Sequence, residues 1–220
     1  PGSVPCERRF PKNKIIVAHD GFEPSMFAQM TSRADARSQL GLPSDMTLAV
    51  YTGSLMPWKG VYTLADASQM LPDGYRMCIV GGTDADFEKL SNYVRSKNLK
   101  NIDLRKRVRH QMIPLYLAAA DVLVIPNSAR DDASRQYTSP LKLFEYLAST
   151  KALILSDVPA LREIGAAFDG VSFFKADDAE SLSRCIRDVQ YNRTFVRKVA
   201  AFSWDARAKH IIAHLNLQKP

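Results

Sequence analysis

The sequence predicts an α/β fold built on a doubly wound parallel sheet. Short apolar runs alternate with segments of helical period along the 220-residue chain. The runs are rich in Val, Ile and Leu, as in strands buried on both faces, and the amphipathic segments between them supply covering helices. A chain of this length with 46% hydrophobic residues can bury a large core without disulfides or a structural metal. We therefore expect one Rossmann-like domain over residues 1–220, with helices on both faces of the sheet.

The elements follow one another in a regular order. The predicted strands are residues 15–18, 48–52, 77–80, 102–104, 122–125, 153–155 and 171–174. Between them, three sets of residues keep one helical face each: Val61, Leu64, Ala65, Ser68 and Leu71; Phe87, Leu90 and Val94; Leu182, Cys185, Ile186 and Val189. A last helix is expected over residues 204–217, with Ile211 and Leu215 spaced to pack back onto the domain.

Charge and cysteine usage narrow the class of protein. The net charge of +7 favours anionic partners and leaves phosphate ligands, nucleic acid and acidic lipid open. Cys6, Cys78 and Cys185 are odd in number and far apart, which indicates neither a disulfide framework nor a zinc site. The longest apolar stretch is broken by Asp121 and is shorter than the ~18 residues of a membrane span. We expect a soluble protein of a reducing, cytoplasmic compartment.

Ligands of such sheets bind beyond the carboxyl ends of the strands, so the loops after the strands are the place to look for a site. In the first of these loops a strand runs into Gly53, and Lys59-Gly60 opens a helix. Glycine permits close backbone approach, and a lysine beside a helix N-terminus suits a diphosphate. The alternative is an ordinary turn with a solvated lysine, and the spacing alone does not choose between them. The loop lacks the second glycine and the Ser or Thr of a Walker motif.

Two further loops carry weaker signals. Gly81-Gly82 follows the third predicted strand and precedes Thr83, a good helix N-cap, but the third glycine of a dinucleotide fingerprint is missing. The basic run RKRVRH at 105–110 could face a nucleotide base, phosphates or nucleic acid, or be a solvated loop. Its lack of interleaved aromatic residues argues against nucleic acid, and His110 by itself gives no reason to assign it a catalytic role.

The stretch SPLKLFEYLA at 139–148 is the most informative. Ser139 can cap a helix and Pro140 suits its first position. At 100° per residue one apolar face holds Leu141, Leu143, Phe144, Leu147 and Ala148, and the opposite face holds Lys142, Glu145 and Tyr146. Glu145 is therefore expected to point away from the core. There its carboxylate could accept two hydroxyls of a ribose whose phosphates lie at the helix N-terminus.

Together these stretches carry a family resemblance. The set comprises the Gly53 to Gly60 loop, IVGG at 79–82, IPLYLAAADVLVIP at 113–126, SPLKLFEYLA at 139–148 and DVPALRE at 157–163. In this order they resemble the carboxy-terminal half of the retaining glycosyltransferases with a two-domain GT-B fold, often called group 1 or family four. The segment HDGFEP at 19–24 is similar to the short stretch that leads into this domain.

The resemblance implies a role for each matching position. The lysine matching Lys59 contacts the nucleotide diphosphate and stabilises the leaving charge, which makes Lys59 the expected catalytic residue. The glutamate matching Glu145 holds the ribose hydroxyls, and the backbone at Ser139, Pro140 and Leu141 meets the phosphates. Lys142 is also expected to bind the substrate. The remaining expected substrate-binding residues are Gly53, Ser54, Gly60, Gly81, Arg107, Val108 and Arg109, of which the last three lie beside the base.

The chain departs from the family pattern at two positions and matches only one of its two domains. The family often has Arg where this chain has Ser54, and many members have a second Glu where this chain has Tyr137. In the family, the acceptor site lies in an amino-terminal domain. The 220 residues of this chain accommodate only one of the two domains of the GT-B pattern. We therefore expect the donor-binding domain alone, with peripheral membrane contact through the amino-terminal domain as a further option.

The resulting hypothesis is a domain that binds a nucleoside diphosphate sugar for a glycosyltransferase. Neither a cofactor nor a metal is expected, and nucleic acid is not an expected partner. Two alternatives stay open: a non-catalytic nucleotide-sugar sensor or scaffold, and a nucleic-acid-binding module using residues 105–110. The absence of a three-glycine fingerprint disfavours a nicotinamide-dependent dehydrogenase.

Overall fold

The computed structural model describes residues 15–138 and 141–217. Within them, six parallel strands form one sheet in the order β3-β2-β1-β4-β5-β6. The strands are β1 Thr47–Gly53, β2 Tyr75–Gly81, β3 Ile102–Arg105, β4 Val122–Ile125, β5 Ala152–Ser156 and β6 Val171–Phe174. This is the Rossmann order, in which the chain winds outwards from the β1/β4 pair in both directions. The predicted fold class is confirmed.

Nine α-helices precede, connect or follow these strands in the described residues. They are α1 Arg33–Leu40, α2 Val61–Ser68, α3 Asp84–Ser96, α4 Ile113–Ala119, α5 Asp132–Gln136, α6 Leu141–Ala148, α7 Pro159–Gly165, α8 Ala179–Asp188 and α9 Trp204–Leu217. Short 3-10 turns occupy Pro24–Phe27, Pro57–Lys59, His110–Met112 and Ala200–Phe202.

The sheet separates two apolar cores. Along β1, Leu48 and Val50 pack into one core and Ala49 and Tyr51 into the other, because successive side chains of a strand point to opposite faces. Helices α1, α4, α6 and α7 cover the first core, and α2, α3 and α8 cover the second. Both faces being buried explains why the strands are continuous apolar runs rather than alternating ones.

The predicted strand at 15–18 is wrong. This segment lies outside the sheet, and Val17 is exposed. Its neighbours in the chain bond instead to the segment before α9: the amide of Phe22 donates to the carbonyl of Phe202 at 3.0 Å, and an isolated bridge pairs Phe22 with Ser203. An apolar run forms a strand only where another strand offers its edge, and here the partner is a loop.

The last predicted helix is confirmed as α9, and the packing expected of it is confirmed only in part. Ile211 is half-buried, whereas Leu215 is 59% exposed. The helix is attached at its first turn, where the amide of Trp204 donates to the carbonyl of Phe22 and Phe202 stacks on Phe144 at 4.9 Å. Spacing alone did not show that the domain ends before the second half of the helix.

An ion cluster lies at the amino-terminal ends of β1 and β4, at the edge of the sheet opposite to the strand-end loops. The Asp121 carboxylate accepts hydrogen bonds from Arg37 at 2.6 Å, from Arg33 at 2.7 Å and from the amide of Leu48 at 2.6 Å. Burial lowers the pKa of Arg37, although the charge of Asp121 opposes the shift. The residue that interrupts the apolar run at 115–125 thus ties α1 to the starts of β1 and β4.

Cys78 and Cys185 are free thiols, and burial raises the pKa of Cys78 to about 12. Cys6 lies outside the described residues. In the part of the chain that the structure describes, none of the helices combines the length and apolar character that crossing a membrane requires.

Candidate functional site

A cleft opens at the carboxyl ends of β1 and β2, beside the point where the strand order reverses between β1 and β4. Crevices at such switch points are where open α/β sheets bind ligands. The cleft has a volume of about 420 Å³. Five predicted site residues line it, namely Gly53, Ser54, Gly81, Arg107 and Val108. Residues from three separate strand-end loops thus meet in one cavity.

Two glycines allow the loops around this cleft to approach closely. Gly81 has φ +133° and a Cβ there would strike the carbonyl of Gly53, so the ends of β1 and β2 can touch only without a side chain. Gly60 has φ +73° and a Cβ there would strike the carbonyl of Pro126, in the loop after β4. The requirement for glycine at both positions is therefore steric as well as conformational.

Gly60 helps to fix Lys59 in place. Lys59 ends the 3-10 turn Pro57–Lys59, and the carbonyl of Trp58 accepts hydrogen bonds from the amide of Ser128 at 3.0 Å and the hydroxyl of Ser134 at 2.9 Å. The Lys59 Nζ lies 3.9 Å from the centroid of the Trp58 ring. Burial lowers the pKa of Lys59 to about 8. Lys59 is thus a partly desolvated cation, and not the freely solvated lysine of an ordinary turn.

The two faces predicted for α6 are partly wrong. Leu141, expected on the core face, is 47% exposed, whereas Tyr146, expected outside, is fully buried. The Tyr146 hydroxyl accepts a hydrogen bond from the amide of Thr52 at 2.8 Å. Lys142 is also turned inwards, with its Nζ 3.8 Å from the centroid of the Tyr51 ring. Helix α6 packs against the first core on one side and against the end of β1 on another. A helical wheel with one buried face does not predict burial on two sides.

Glu145 leaves the core as predicted, but it is not a solvated residue. Its side chain is 12% exposed, and its Oε1 lies 2.6 Å from the Nε2 of His110. His110 begins the turn His110–Met112 and lines the cleft. No role was expected of His110, because nothing in the local sequence connects it with a glutamate 35 residues later. The pair brings the α6 carboxylate to the rim of the cavity.

The basic run at 105–110 divides into residues with different surroundings. Arg105 binds Asp103 at 2.9 Å and the carbonyl of Leu40 at 2.6 Å, and Lys106 binds Asp84 at 2.9 Å. Val108 packs against the first core, and Arg109 is exposed at the start of the next turn. Arg107 is the cation of this run that lines the cleft. The run is thus not one continuous basic surface.

Three other positions that the sequence singled out lie outside the cleft or outside the described residues. Ser139 and Pro140, expected to cap α6 and to meet phosphate, lie outside the described residues. Tyr137, at the position of the family's second glutamate, ends α5 and is 63% exposed. The cleft is also lined by residues that were not among the predicted site residues: Met56, Val80, Gly82, Thr83, Asp86, His110 and Ile113. Thr83 had been noted only as a helix cap, and it does cap α3, accepting from the amide of Asp86 at 3.2 Å.

Unsatisfied polar groups also gather at the carboxyl ends of the strands. Among the described residues, the buried Nζ of Lys142, the side-chain amide of Asn127 after β4 and the hydroxyl of Ser156 at the end of β5 have no hydrogen-bond partner. The Nε of Arg76, at the start of β2, is the other such atom. Buried polar groups usually find partners, so the three at the carboxyl ends mark places where a ligand could supply them. Across the described ranges there is no group of three or more His, Cys, Asp or Glu side chains able to hold a metal ion.

Comparison with curated proteins gives related glycosyltransferases. Over 169 residues the chain is 25% identical to the putative teichuronic acid biosynthesis glycosyltransferase TuaC of Bacillus subtilis, a match covering 77% of this chain and 39% of that protein. It is also 30% identical over 122 residues to the D-inositol 3-phosphate glycosyltransferase of Mycolicibacterium smegmatis, covering 53% of this chain and 27% of that protein. The chain thus spans less than half the length of these relatives.

Solved structures share the fold. Sucrose-phosphate synthase from Thermosynechococcus elongatus matches with a TM-score of 0.72 and 25% identity, covering 90% of this chain and 51% of that one. Anabaena HepE, crystallised with UDP and glucose, matches with a TM-score of 0.73 and 19% identity, covering 91% and 56%. The profile of the family described as glycosyl transferases group 1 matches residues 47–192. The chain therefore belongs to the group 1 glycosyl transferases and has the fold of their carboxy-terminal GT-B domain.

Proposed function

We propose that this chain binds the nucleoside diphosphate sugar for a retaining glycosyltransferase that moves a hexose-like sugar to a hydroxyl acceptor. The observation that carries the proposal is the charge arrangement at the switch-point cleft. Arg107 and Asp86 line the cavity, Lys59 and Lys142 lie in and over the loop that begins at Gly53, and the carboxylate of Glu145 reaches the rim through His110. This pattern matches a ligand with several phosphate charges and one diol.

In this proposal, different residues bind different parts of the ligand. Glu145 accepts the ribose hydroxyls, because a shielded carboxylate on a helix is a strong acceptor for a diol. Lys59 and the first turn of α6 face the diphosphate, and Arg107 and Val108 lie on the side of the base. As the sugar departs, negative charge grows on the diphosphate, and cations already held in place stabilise it without reorganisation. The UDP and UDP-glucose held by HepE support a nucleotide sugar as the ligand.

The acceptor belongs to the rest of the enzyme in this proposal. We place it in an amino-terminal domain of the same polypeptide, which also provides any peripheral membrane contact on the cytoplasmic side. The name of the Bacillus relative supports polysaccharide synthesis as the setting. Accordingly, the 220-residue chain should bind donor nucleotide and transfer no sugar. Transfer by the purified chain at an ordinary enzymatic rate would refute this part of the proposal.

A thermal-shift screen tests the binding proposal directly. UDP, GDP, ADP, CDP and dTDP, with their glucose or mannose conjugates, are added to the purified chain. Ligand at about 100 times its Kd stabilises by roughly 2.7 kcal/mol, or about 5 to 10 °C for a domain of this size. No shift with any nucleoside diphosphate would overturn the proposal. Steeply salt-dependent binding to DNA or RNA instead would favour the nucleic-acid alternative, which the pairing of Arg105 and Lys106 with carboxylates disfavours.

A further inference from the structure

A second cavity lies at the other end of the sheet from the cleft. Its volume is about 370 Å³, and it is bounded by residues 27–33 at the start of α1, by the end of α4 and by residues 148–151 between α6 and β5. We call it the α1/β5 cavity. Arg33 and Lys151 are the charged residues of its lining, and no Asp or Glu is among the described residues that line it. The α1/β5 cavity is therefore a cationic pocket.

Lys151 has no counter-ion in the described part of the chain. Its side chain is half-buried, and it forms neither an ion pair nor a side-chain hydrogen bond with a described residue. Burial lowers the pKa of Lys151, the charge of Asp121 opposes the shift, and the charges of Arg33 and Arg37 add to it. A cation that is partly removed from water without an anion destabilises the folded domain. An anion bound in the cavity would offset this cost.

The nearby carboxylate of Asp121 is already occupied by other donors. It accepts hydrogen bonds from Arg33, Arg37 and the amide of Leu48. Arg33 uses its Nε and Nη2 for this carboxylate and for the carbonyl of Met46, so its Nη1 has no partner among the described residues. The Arg33 side chain is 42% exposed. Both cations of the cavity thus have donors available for a ligand.

The loop that carries Lys151 is held in place through its backbone. Arg197 donates to the carbonyl of Ser149 at 3.1 Å and to the carbonyl of Lys151 at 2.9 Å, and the amide of Phe195 donates to the carbonyl of Thr150 at 3.0 Å. These contacts leave the side chains of Thr150 and Lys151 unengaged. A site whose loop is fixed before the ligand arrives loses little conformational freedom on binding.

The lining of the α1/β5 cavity suits a phosphate group. Phosphate oxygens accept charge-assisted hydrogen bonds from Arg and Lys, and hydroxyl groups can complete the set of donors. The cavity provides both kinds of donor, because Thr31 and Thr150 line it together with Arg33 and Lys151. Apolar side chains such as Phe27 form the rest of its wall, and its volume leaves room for an organic group beside the phosphate.

We propose that the α1/β5 cavity is a second ligand site of this domain, in which Arg33 and Lys151 bind the phosphate group of an organic phosphate. This inference does not rest on the proposed function, because none of the described residues that line the donor cleft also lines this cavity. The same phosphate chemistry is offered by a soluble metabolite and by a lipid headgroup, and the test has an arm for each.

The test is calorimetric titration of the purified chain with inorganic phosphate at constant ionic strength. Lys151→Met removes the cation and keeps most of the side chain, and Thr150→Val removes an exposed hydroxyl from the lining. Lys59→Met is the matched control, because burial also lowers the pKa of Lys59, which lies in the loop beside the donor cleft. This control identifies phosphate that binds in the cleft instead.

The wild type should bind phosphate, and Lys151→Met should bind it about tenfold or more weakly, as expected for a lost hydrogen bond to a charged group. Thr150→Val should also weaken binding, whereas Lys59→Met should retain the Lys151-dependent site. Without phosphate, Lys151→Met should have a thermal midpoint equal to or above that of the wild type, because it removes a half-buried cation that lacks an anion. Should Lys151→Met not fold, Lys151→Gln takes its place.

Glycerol 3-phosphate and vesicles containing phosphatidylglycerol are then tested with the same variants. Lys151-dependent binding of glycerol 3-phosphate would assign the site to soluble phosphates, and Lys151-dependent binding to the vesicles alone would assign it to a lipid headgroup. The proposal is overturned if none of the three probes binds, or if Lys151→Met binds them as tightly as the wild type. It is also overturned if Lys59→Met, and not Lys151→Met, abolishes binding. Titration with UDP tests the proposed function separately.

Discussion

Replacing Glu145 by Gln tests how the domain holds a ribose. Gln keeps the shape of the side chain and one carbonyl acceptor, and it removes the charge. The Oε1 of Glu145 already faces His110 at 2.6 Å, and this pair brings the carboxylate to the rim of the cleft. Because His110 is largely exposed, the pair should contribute no more than about 1 kcal/mol to folding. We expect the variant to unfold at nearly the same denaturant concentration as the wild type.

The expected loss of affinity is much larger than the loss of stability. A carboxylate that accepts two ribose hydroxyls makes charge-assisted hydrogen bonds, and removing its charge should cost about 2 to 3 kcal/mol. This corresponds to roughly 30-fold to 150-fold weaker binding of UDP. The 12% exposure of the Glu145 side chain supports the upper part of this range, since water competes little for its oxygens.

The assay is calorimetry on four combinations of protein and ligand. Wild type and Glu145→Gln are each titrated with UDP and with its 2′,3′-dideoxy analogue, which offers the carboxylate no hydroxyl. The coupling in this cycle isolates the ribose contact from any general damage. Glu163→Gln is the matched control, because Glu163 also faces a histidine, His19 at 3.9 Å, but lies outside the cleft.

A coupling near zero would remove Glu145 from the ribose site. The same conclusion would follow if Glu145→Gln weakened both ligands equally, because the change would then act through Lys142 or the fold. Equal losses in Glu145→Gln and Glu163→Gln would show that the effect does not depend on the cleft.

Three further predictions follow from the described contacts. Because burial lowers the pKa of Lys59 to about 8, its charge is present below that pH and lost above it, so UDP affinity should fall more steeply above about pH 8. Lys59→Met should remove this steepening and weaken UDP about tenfold while leaving uridine binding unchanged, as calorimetry across pH would show. Asp121→Asn should lower the free energy of unfolding, measured in urea, by about 3 to 5 kcal/mol, because it leaves Arg37 buried without its anion. It should not alter UDP affinity, and an unchanged denaturation midpoint would contradict the prediction. Gly60→Ala should lower the free energy of unfolding by about 1 to 3 kcal/mol and weaken UDP binding, since its Cβ would strike Pro126. Gly41→Ala, where φ is +61° and the surrounding space is open, should lower stability only. Similar UDP affinities in the two variants would refute the steric argument.

The sequence by itself determined the fold class and most of the elements. Six of the seven predicted strands lie within observed ones, because a Val, Ile and Leu run between turn residues describes a strand buried on both faces. The order of elements also showed that the loops at Gly53, Gly81 and Arg107 follow three strands, and parallel strands end at one edge of a sheet. Chain order and local pattern were therefore enough to bring these loops together.

The tertiary structure alone decided which side chains meet inside that edge. The contact between His110 and Glu145 joins residues 35 positions apart, and the passage of Lys142 over Gly53 to Tyr51 crosses from one core to the other. A helix wheel treats α6 as having one buried side, so it could not foresee the burial of Tyr146 and of the Lys142 Nζ. The run at 15–18 failed for the same reason: a strand and a buried side chain each need a partner, and partners are set by distant parts of the chain.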